Sequence, residues 1–182
     1  FGRFLSLLLI VALGVAFYAG IRSTEPDMRK SVDAIYDKEN IYDIRVVSEL
    51  GVTNNDINAL KSIDEIKDIE GIYNVDQVVK NGETEYTVKM MSRTDTINKV
   101  KTNVNELSDD ECLVDRQLAE HNYIKVGDNI TVDNEYVKGK EYTVKGTFCT
   151  GNYLSFHKGS STVGSGKLDG LIIINKNQFD MD

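Results

Sequence analysis

The sequence predicts an α+β fold: an N-terminal transmembrane helix followed by a two-lobed domain, a β-α-β-β lobe and then a smaller β-rich lobe. Three observations predict it. Phe4 to Ile21 reads FLSLLLIVALGVAFYAGI without a charge, and a polar, acidic remainder begins at Arg22. β-branched runs then alternate with short helical patterns, and a weakly patterned polar stretch, Ile97 to Leu107, separates two groups of strands. The expected segments are residues 1–22 for the span, 23–96 for the first lobe, 97–160 for the β-rich lobe, and 161–182 for a loop and strand returning to the first lobe.

The eighteen residues from Phe4 to Ile21 make about 27 Å of helix, close to the roughly 30 Å hydrocarbon core of a bilayer. A helix satisfies its own backbone groups in lipid, and Gly14 and Gly20 are tolerated there. Phe17 and Tyr18 suit an interface, whereas Arg3 and Arg22 flank both ends and leave the orientation open on charge alone. A cleaved signal peptide and a core helix of a soluble domain are the competing readings. Against the first, Ala16 and Ala19 are three apart, so there is no A-x-A site, and the apolar run exceeds a usual signal core. Ala12, Ala16 and Gly20 recur every four residues, placing small side chains where a second helix can approach closely. The general abundance of Ala and Gly in membrane helices produces the same pattern.

Beyond the span, Ser23-Thr24-Glu25-Pro26-Asp27 predicts a helix restart with Pro26 in the first turn, and Met28, Val32, Ile35 and Tyr36 continue at helical spacing. Tyr42 to Ser48 alternates and is β-branched, which predicts the first strand, ended by Gly51. Thr53-Asn54-Asn55-Asp56 reads as a capped start to a short helix whose apolar face is Ile57, Leu60, Ile63 and Ile66. Ile72 to Lys80 and Glu85 to Met91 form a hairpin about Asn81-Gly82. Ile97 to Leu107 is expected to cross between the lobes rather than to join a core. Glu111 to Asp115 reads as a strand feeding a helix over Arg116 to Asn122, followed by a turn at Lys125 to Asp128 and strands over Asn129 to Val132 and Lys140 to Phe148. Gly159 to Gly170 reads as a flexible Gly/Ser stretch, and Leu171 to Ile174 as a strand buried on both faces. Only a few residues follow that strand, so the chain is expected to be truncated.

Lys plus Arg number 21 and Asp plus Glu 29, a net charge of −8; residues 1–22 hold Arg3 and Arg22 and no acid, which leaves −10 on the rest. Such a body repels nucleic-acid backbones and anionic lipid surfaces, so nucleic acid is not an expected partner. With one Pro and no Trp among well-patterned elements, residues 23–182 read as folded and long enough to bury a core. Cys112 and Cys149 lie in expected strands of one region and are candidates for a disulfide, with two buried free thiols as the alternative.

Catalysis would need Cys112 or Cys149 with His121 or His157, but no nucleophile signature surrounds either cysteine. The two histidines fail the close ligand spacing of a zinc site, and Asp109-Asp110-Glu111 lacks the alternating ligands of a calcium loop. Gly166-Lys167 resembles the end of a phosphate loop, yet Ser161 stands where Gly is required and Leu168 where Ser or Thr is. Asn129-Ile130-Thr131 is a glycosylation sequon relevant only in a eukaryotic secretory route. Tyr123, Tyr136 and Tyr153 are candidates for a contact patch, and tyrosine is equally at home in strands. No catalytic residue, cofactor or metal is assigned.

Taken in order, several pieces resemble the first transmembrane helix and extracytoplasmic domain of the MacB-like, FtsX-like permeases of ABC transporters, in the form common in Gram-positive bacteria. The pieces are Gly2 to Arg22, Pro26-Asp27-Met28, Tyr42 to Ser48 with Gly51-Val52-Thr53, Glu111 to Asp115, Lys125 to Val132, and Gly164 to Gly170 before a returning strand. The resemblance implies a cytoplasmic N-terminus and a two-lobed extracytoplasmic domain after about residue 22 in the cell membrane. It also implies a separate cytoplasmic ABC ATPase subunit, the remainder of the permease and a second permease copy as partners alongside the lipid bilayer. The expected role is to relay ATP-driven motion to a peptide, lipid, lipoprotein or cell-wall enzyme outside. The later membrane helices are absent from this sequence, so it is not expected to transport alone. Two alternatives are a stand-alone membrane-anchored extracellular binding module and a membrane-tethered thiol hydrolase.

Overall fold

The computed structural model describes residues 1–48, 51–121, 124–153 and 167–180. It divides into two compact units, Phe1–Lys38 and Glu39–Asp182.

Helix α1 runs unbroken over Gly2–Glu39, 38 residues with none buried. The expected restart near Ser23 does not occur. Pro26 sits inside the helix and deprives only the Arg22 carbonyl of its partner. Around it the Ser23 and Thr24 hydroxyls donate to the Gly20 carbonyl at 3.0 and 2.9 Å, and Arg29 pairs with Glu25 one turn back at 3.4 Å. A helix of this length measures about 57 Å, so it exceeds a bilayer core by roughly 27 Å. Its extra turns begin where charge begins, at Arg22.

The second unit opens with an irregular segment. Tyr42 to Ser48, expected as the first strand, is no strand here, and Ile44, Val46 and Val47 are 81, 64 and 72% exposed. β-branched alternation records only that a segment fits a pleated, half-covered surface. Helix α2, Asn54–Lys61, begins as expected with Thr53 and Asp56 in a reciprocal capping box. The Asp56 N–H donates to the Thr53 hydroxyl, and the Thr53 N–H and hydroxyl donate to the Asp56 carboxylate at 2.8 and 2.7 Å. Those bonds hold the Asp56 carboxyl below the usual carboxylate range.

Among the described residues seven strands follow: β1 Asn74–Asn81, β2 Thr84–Ser92, β3 Lys101–Thr102, β4 Glu111–Asp115, β5 Asn129–Val132, β6 Glu141–Cys149 and β7 Gly170–Ile174. Helix α3, Arg116–His121, lies between β4 and β5, and a 3₁₀ turn over Lys176–Gln178 follows β7. The strands form one sheet in the order β3-β6-β4-β7-β2-β1-β5, and β5 pairs again with β6. Six strands therefore close on themselves, while β3 extends the far end of β6 through Lys101↔Cys149 and Thr102↔Phe148. β2–β7 and β4–β6 are parallel, the other pairs antiparallel. Strands of both expected lobes thus share one sheet.

The hairpin turn sits one residue later than expected. Asn81 pairs with Thr84, leaving Gly82 and Glu83 as the turn, with Gly82 at φ +60°. Glycine at the first central position is the type II′ requirement.

Closure creates two cores. Inside lie Val79, Val88, Met90, Val114, Ile130, Val144, Ile172 and Ile174, with Tyr142 and Cys112. Outside, Met91, Leu113, Phe148, Leu171 and Ile173 form a second cluster, covered by Val100, Val104, Leu107 and Tyr153. All five residues of β7 are buried because its alternate side chains enter alternate cores. The stretch from Ile97 to Leu107 is thus not a mere crossing: it is a strap over the second core. Arg93 donates to the Asn105 carbonyl at 2.7 Å and Asn175 to the Asp109 carboxylate at 2.9 Å, holding the strap at its C-terminal end.

Candidate functional site

Residues 39–42 are tied to the loop between β2 and β3. Asn40 and Asn98 both adopt left-handed backbone, at φ 48° and 54°, a region in which Asn is several-fold enriched. The Asn98 N–H donates to the Asn40 carbonyl at 2.9 Å and the Lys99 N–H to the Glu39 carbonyl at 2.7 Å. The Asn40 amide donates to the Thr96 carbonyl at 2.7 Å, and the Tyr42 N–H to Asn98 Oδ1 at 3.3 Å. Glu39 also accepts from the Gly151 N–H at 2.6 Å, which ties the same point to the chain beyond β6. The loop in turn is gripped by Glu70, which takes the N–H groups of Asp95, Thr96 and Ile97 at 2.8, 3.1 and 2.8 Å. Sequence reading missed this clasp; two Asn residues in polar stretches were its only signal.

A second polar feature lies on the outer face of the β1–β2 hairpin. Asp76 and Lys89 are cross-strand partners and form an ion pair whose side chains are only 7 and 14% exposed. Burial raises the Tyr153 hydroxyl pKa, opposed by Arg45 and reinforced by Tyr42 and Asp76. Tyr153 thus packs on the second core near a charged cluster instead of standing exposed. Tyr136 is 47% exposed, and Tyr123 lies outside the described residues.

Cys112 and Cys149 are both free. Cys112 faces Val144, and Asp115 faces Phe148, along the parallel β4–β6 ladder. Cys149 therefore lies about four residues further on, near 13 Å, well beyond the roughly 7 Å Cα limit of a disulfide. The register therefore sets the two thiols too far apart to pair. Cys112 is sealed in the inner core, and burial pushes its thiol up to about 12; such a thiol is no nucleophile. His121 ends α3 on the surface, and His157 lies outside the described residues, as do Ser161 and Gly164 to Gly166. Asn129, of the sequon, engages its side chain within the sheet by accepting from the Thr143 hydroxyl at 3.0 Å. Among the described residues no group of three or more His, Cys, Asp or Glu is arranged to hold a metal. Ala12, Ala16 and Gly20 lie exposed on one continuous helix, which is long and apolar enough to cross a membrane.

Comparison with known proteins matches residues 4–180 to the MacB-like periplasmic core domain. Among solved structures, the chain is similar to the extracellular domain of the noncanonic ABC-type transporter YknZ from Gram-positive bacteria, at 14% identity and a TM-score of 0.45, covering 71% of this chain and 65% of that one. The chain thus spans just under two thirds of that structure. No curated protein matches. The family match takes in the apolar helix and every strand from β1 to β7. This chain belongs to the family of MacB-like periplasmic core domains.

Proposed function

We propose that the chain is the first transmembrane helix and extracytoplasmic domain of an ABC transporter permease, relaying ATP-driven motion from the membrane to a substrate or partner outside. The observation that carries this reading is the unbroken family match over residues 4–180, which joins the apolar helix to the barrel in one unit of descent. Two features support it. Helix α1 outlasts the bilayer by about 27 Å, so movement of a membrane segment is delivered as movement of a rod. The clasp fixes the first residues of the second unit, Glu39 and Asn40, to its sheet through paired backbone bonds.

In this reading the N-terminus is cytoplasmic and residues after about 22 are extracytoplasmic. Hydrolysis belongs to a separate cytoplasmic ATPase subunit, and the remainder of the permease and a second copy complete the transporter. Ala12, Ala16 and Gly20 would be the face of α1 on which a neighbouring membrane helix packs.

Purification of the full-length product from its native membrane, with mass spectrometry of what accompanies it, tests the proposal. A stoichiometric ATP-binding subunit is expected, with its yield reduced by Ala16→Leu; a protein that purifies without one overturns the transporter reading in favour of an anchored binding module.

A further inference from the structure

We infer that Glu70 is the positioning residue of the clasp within the second unit: its carboxylate holds the 94–99 loop in the shape that receives residues 39–42. Three successive N–H groups, from Asp95, Thr96 and Ile97, and the Thr96 hydroxyl at 3.1 Å converge on this side chain. Successive N–H groups aimed at one point form an anion-binding concavity. Here the anion comes from the same chain, 25 to 27 residues earlier.

The consequence lies on the loop's other side. With 95–97 so turned, Thr96 presents its carbonyl to the Asn40 amide, and Asn98, in left-handed backbone, presents its N–H to the Asn40 carbonyl and its side chain to Tyr42. The Thr94 hydroxyl donates to the Asn98 carbonyl at 3.1 Å and closes the turn. None of Glu70's own bonds reaches residues 39–42, so it acts on them through the loop. Loss of the carboxylate loosens residues 39–42 from the 94–99 loop without touching either core. This deepens the relay reading and rests on it only for the functional consequence.

Amide hydrogen exchange of the full chain in nanodiscs tests the latch. Glu70→Ala is expected to speed exchange at Tyr42, Asn98 and Lys99 at least tenfold while β2 and β7 amides keep wild-type rates. Glu70→Gln, which keeps an acceptor oxygen but no charge, is expected to fall between. Unchanged rates at Tyr42, Asn98 and Lys99 in both variants, or an equal rise throughout β2 and β7, would overturn the assignment. The relay is read separately in the intact permease–ATPase complex. ATP is expected to alter exchange at 94–99 in the wild type and not in Glu70→Ala; an ATP effect that persists with the clasp loosened overturns the relay and leaves the latch standing.

Discussion

Lys145 donates to the Glu111 carboxylate at 2.7 Å, across the one irregular step of the β4–β6 ladder. Val144 faces Cys112 and Gly146 faces Leu113, so Lys145 is the extra residue of a bulge. Its insertion reverses the alternation of β6: Tyr142 and Val144 point into the inner core, Phe148 into the outer one. A strand feeding two cores needs such a step, and the ion pair covers it. The Lys145 bond and the Ser108 N–H hold the Glu111 carboxyl below its usual range. A lowered carboxyl contributes stability that is present above its unfolded value and lost as pH falls through the folded one. Glu111→Gln is therefore expected to flatten the acid limb of a stability–pH curve measured by denaturant unfolding.

Gly146 is the bulge's steric requirement. A Cβ there would lie 2.7 Å from Val104 Cγ2 and 3.6 Å from Leu113 Cδ2. Gly146→Ala is expected to destabilise by about 1–3 kcal/mol as an overpacked core position. Val104→Ala removes the clashing methyl, so the double variant should cost less than the two changes added. Strict additivity in a double-mutant cycle would show that the strap is not seated against β6 as described.

The parts of this fold that were legible from sequence are those whose signal is local. The Thr53–Asp56 box, the glycine of the hairpin and the apolar run Leu171 to Ile174 each carry their reason within four residues. Pro26 misled because proline suits a first helical turn, yet mid-helix it removes one bond that long flanking turns can spare. Tyr42 to Ser48 misled because strand propensity cannot say whether a neighbour exists. Val100, Val104 and Leu107 follow no strand period, so the strap's role over the outer core was hidden. The clasp was least visible, since most of its donors and acceptors are main-chain groups that every residue has.

Asp115 closes β4 and caps α3, its carboxylate accepting from the Gln117 N–H at 3.0 Å. It is 6% exposed, and burial raises its pKa against the pull of the Gln117, Leu118 and Arg116 N–H groups. The sign is opposite to that of Glu111. A raised carboxyl carries a charge-burial cost that is present above its folded value and relieved as pH falls. Asp115→Asn keeps an acceptor for the cap and loses the charge, so neutral-pH stability should hold or rise. Asp115→Ala should lose about 1 kcal/mol with the cap. Equal losses in both variants, measured by denaturant unfolding at neutral pH, would mean that the charge itself is needed.

Gln77 is 2% exposed, with Oε1 unpartnered among the described residues and its amide nitrogen set against the Met90 sulfur. A thioether is a weak acceptor, and a buried polar atom left without a partner costs about 1–3 kcal/mol. Gln77→Leu keeps the length and removes both polar atoms. It should raise stability by about 1–2 kcal/mol, read as a higher denaturant midpoint at unchanged slope. A lower midpoint would mean that Gln77 has a polar partner in solution.

The two cysteines should separate cleanly under a thiol reagent. Reaction requires the thiolate, and Cys112 is doubly protected: its side chain lies among Val88, Val114 and Val144, and its thiol is raised to about 12. Cys149 is half-buried at the end of β6, beside the edge strand β3. Iodoacetamide at mildly alkaline pH should therefore modify Cys149 in the folded chain and both residues in denaturant, with equal totals whether or not reductant is added first. A total that rises after reduction would reveal a bond between them, which the β4–β6 register forbids. Labelling of Cys112 at the Cys149 rate would mean that the barrel opens at β4, and with it the inner core that seats Val114 and Ile172.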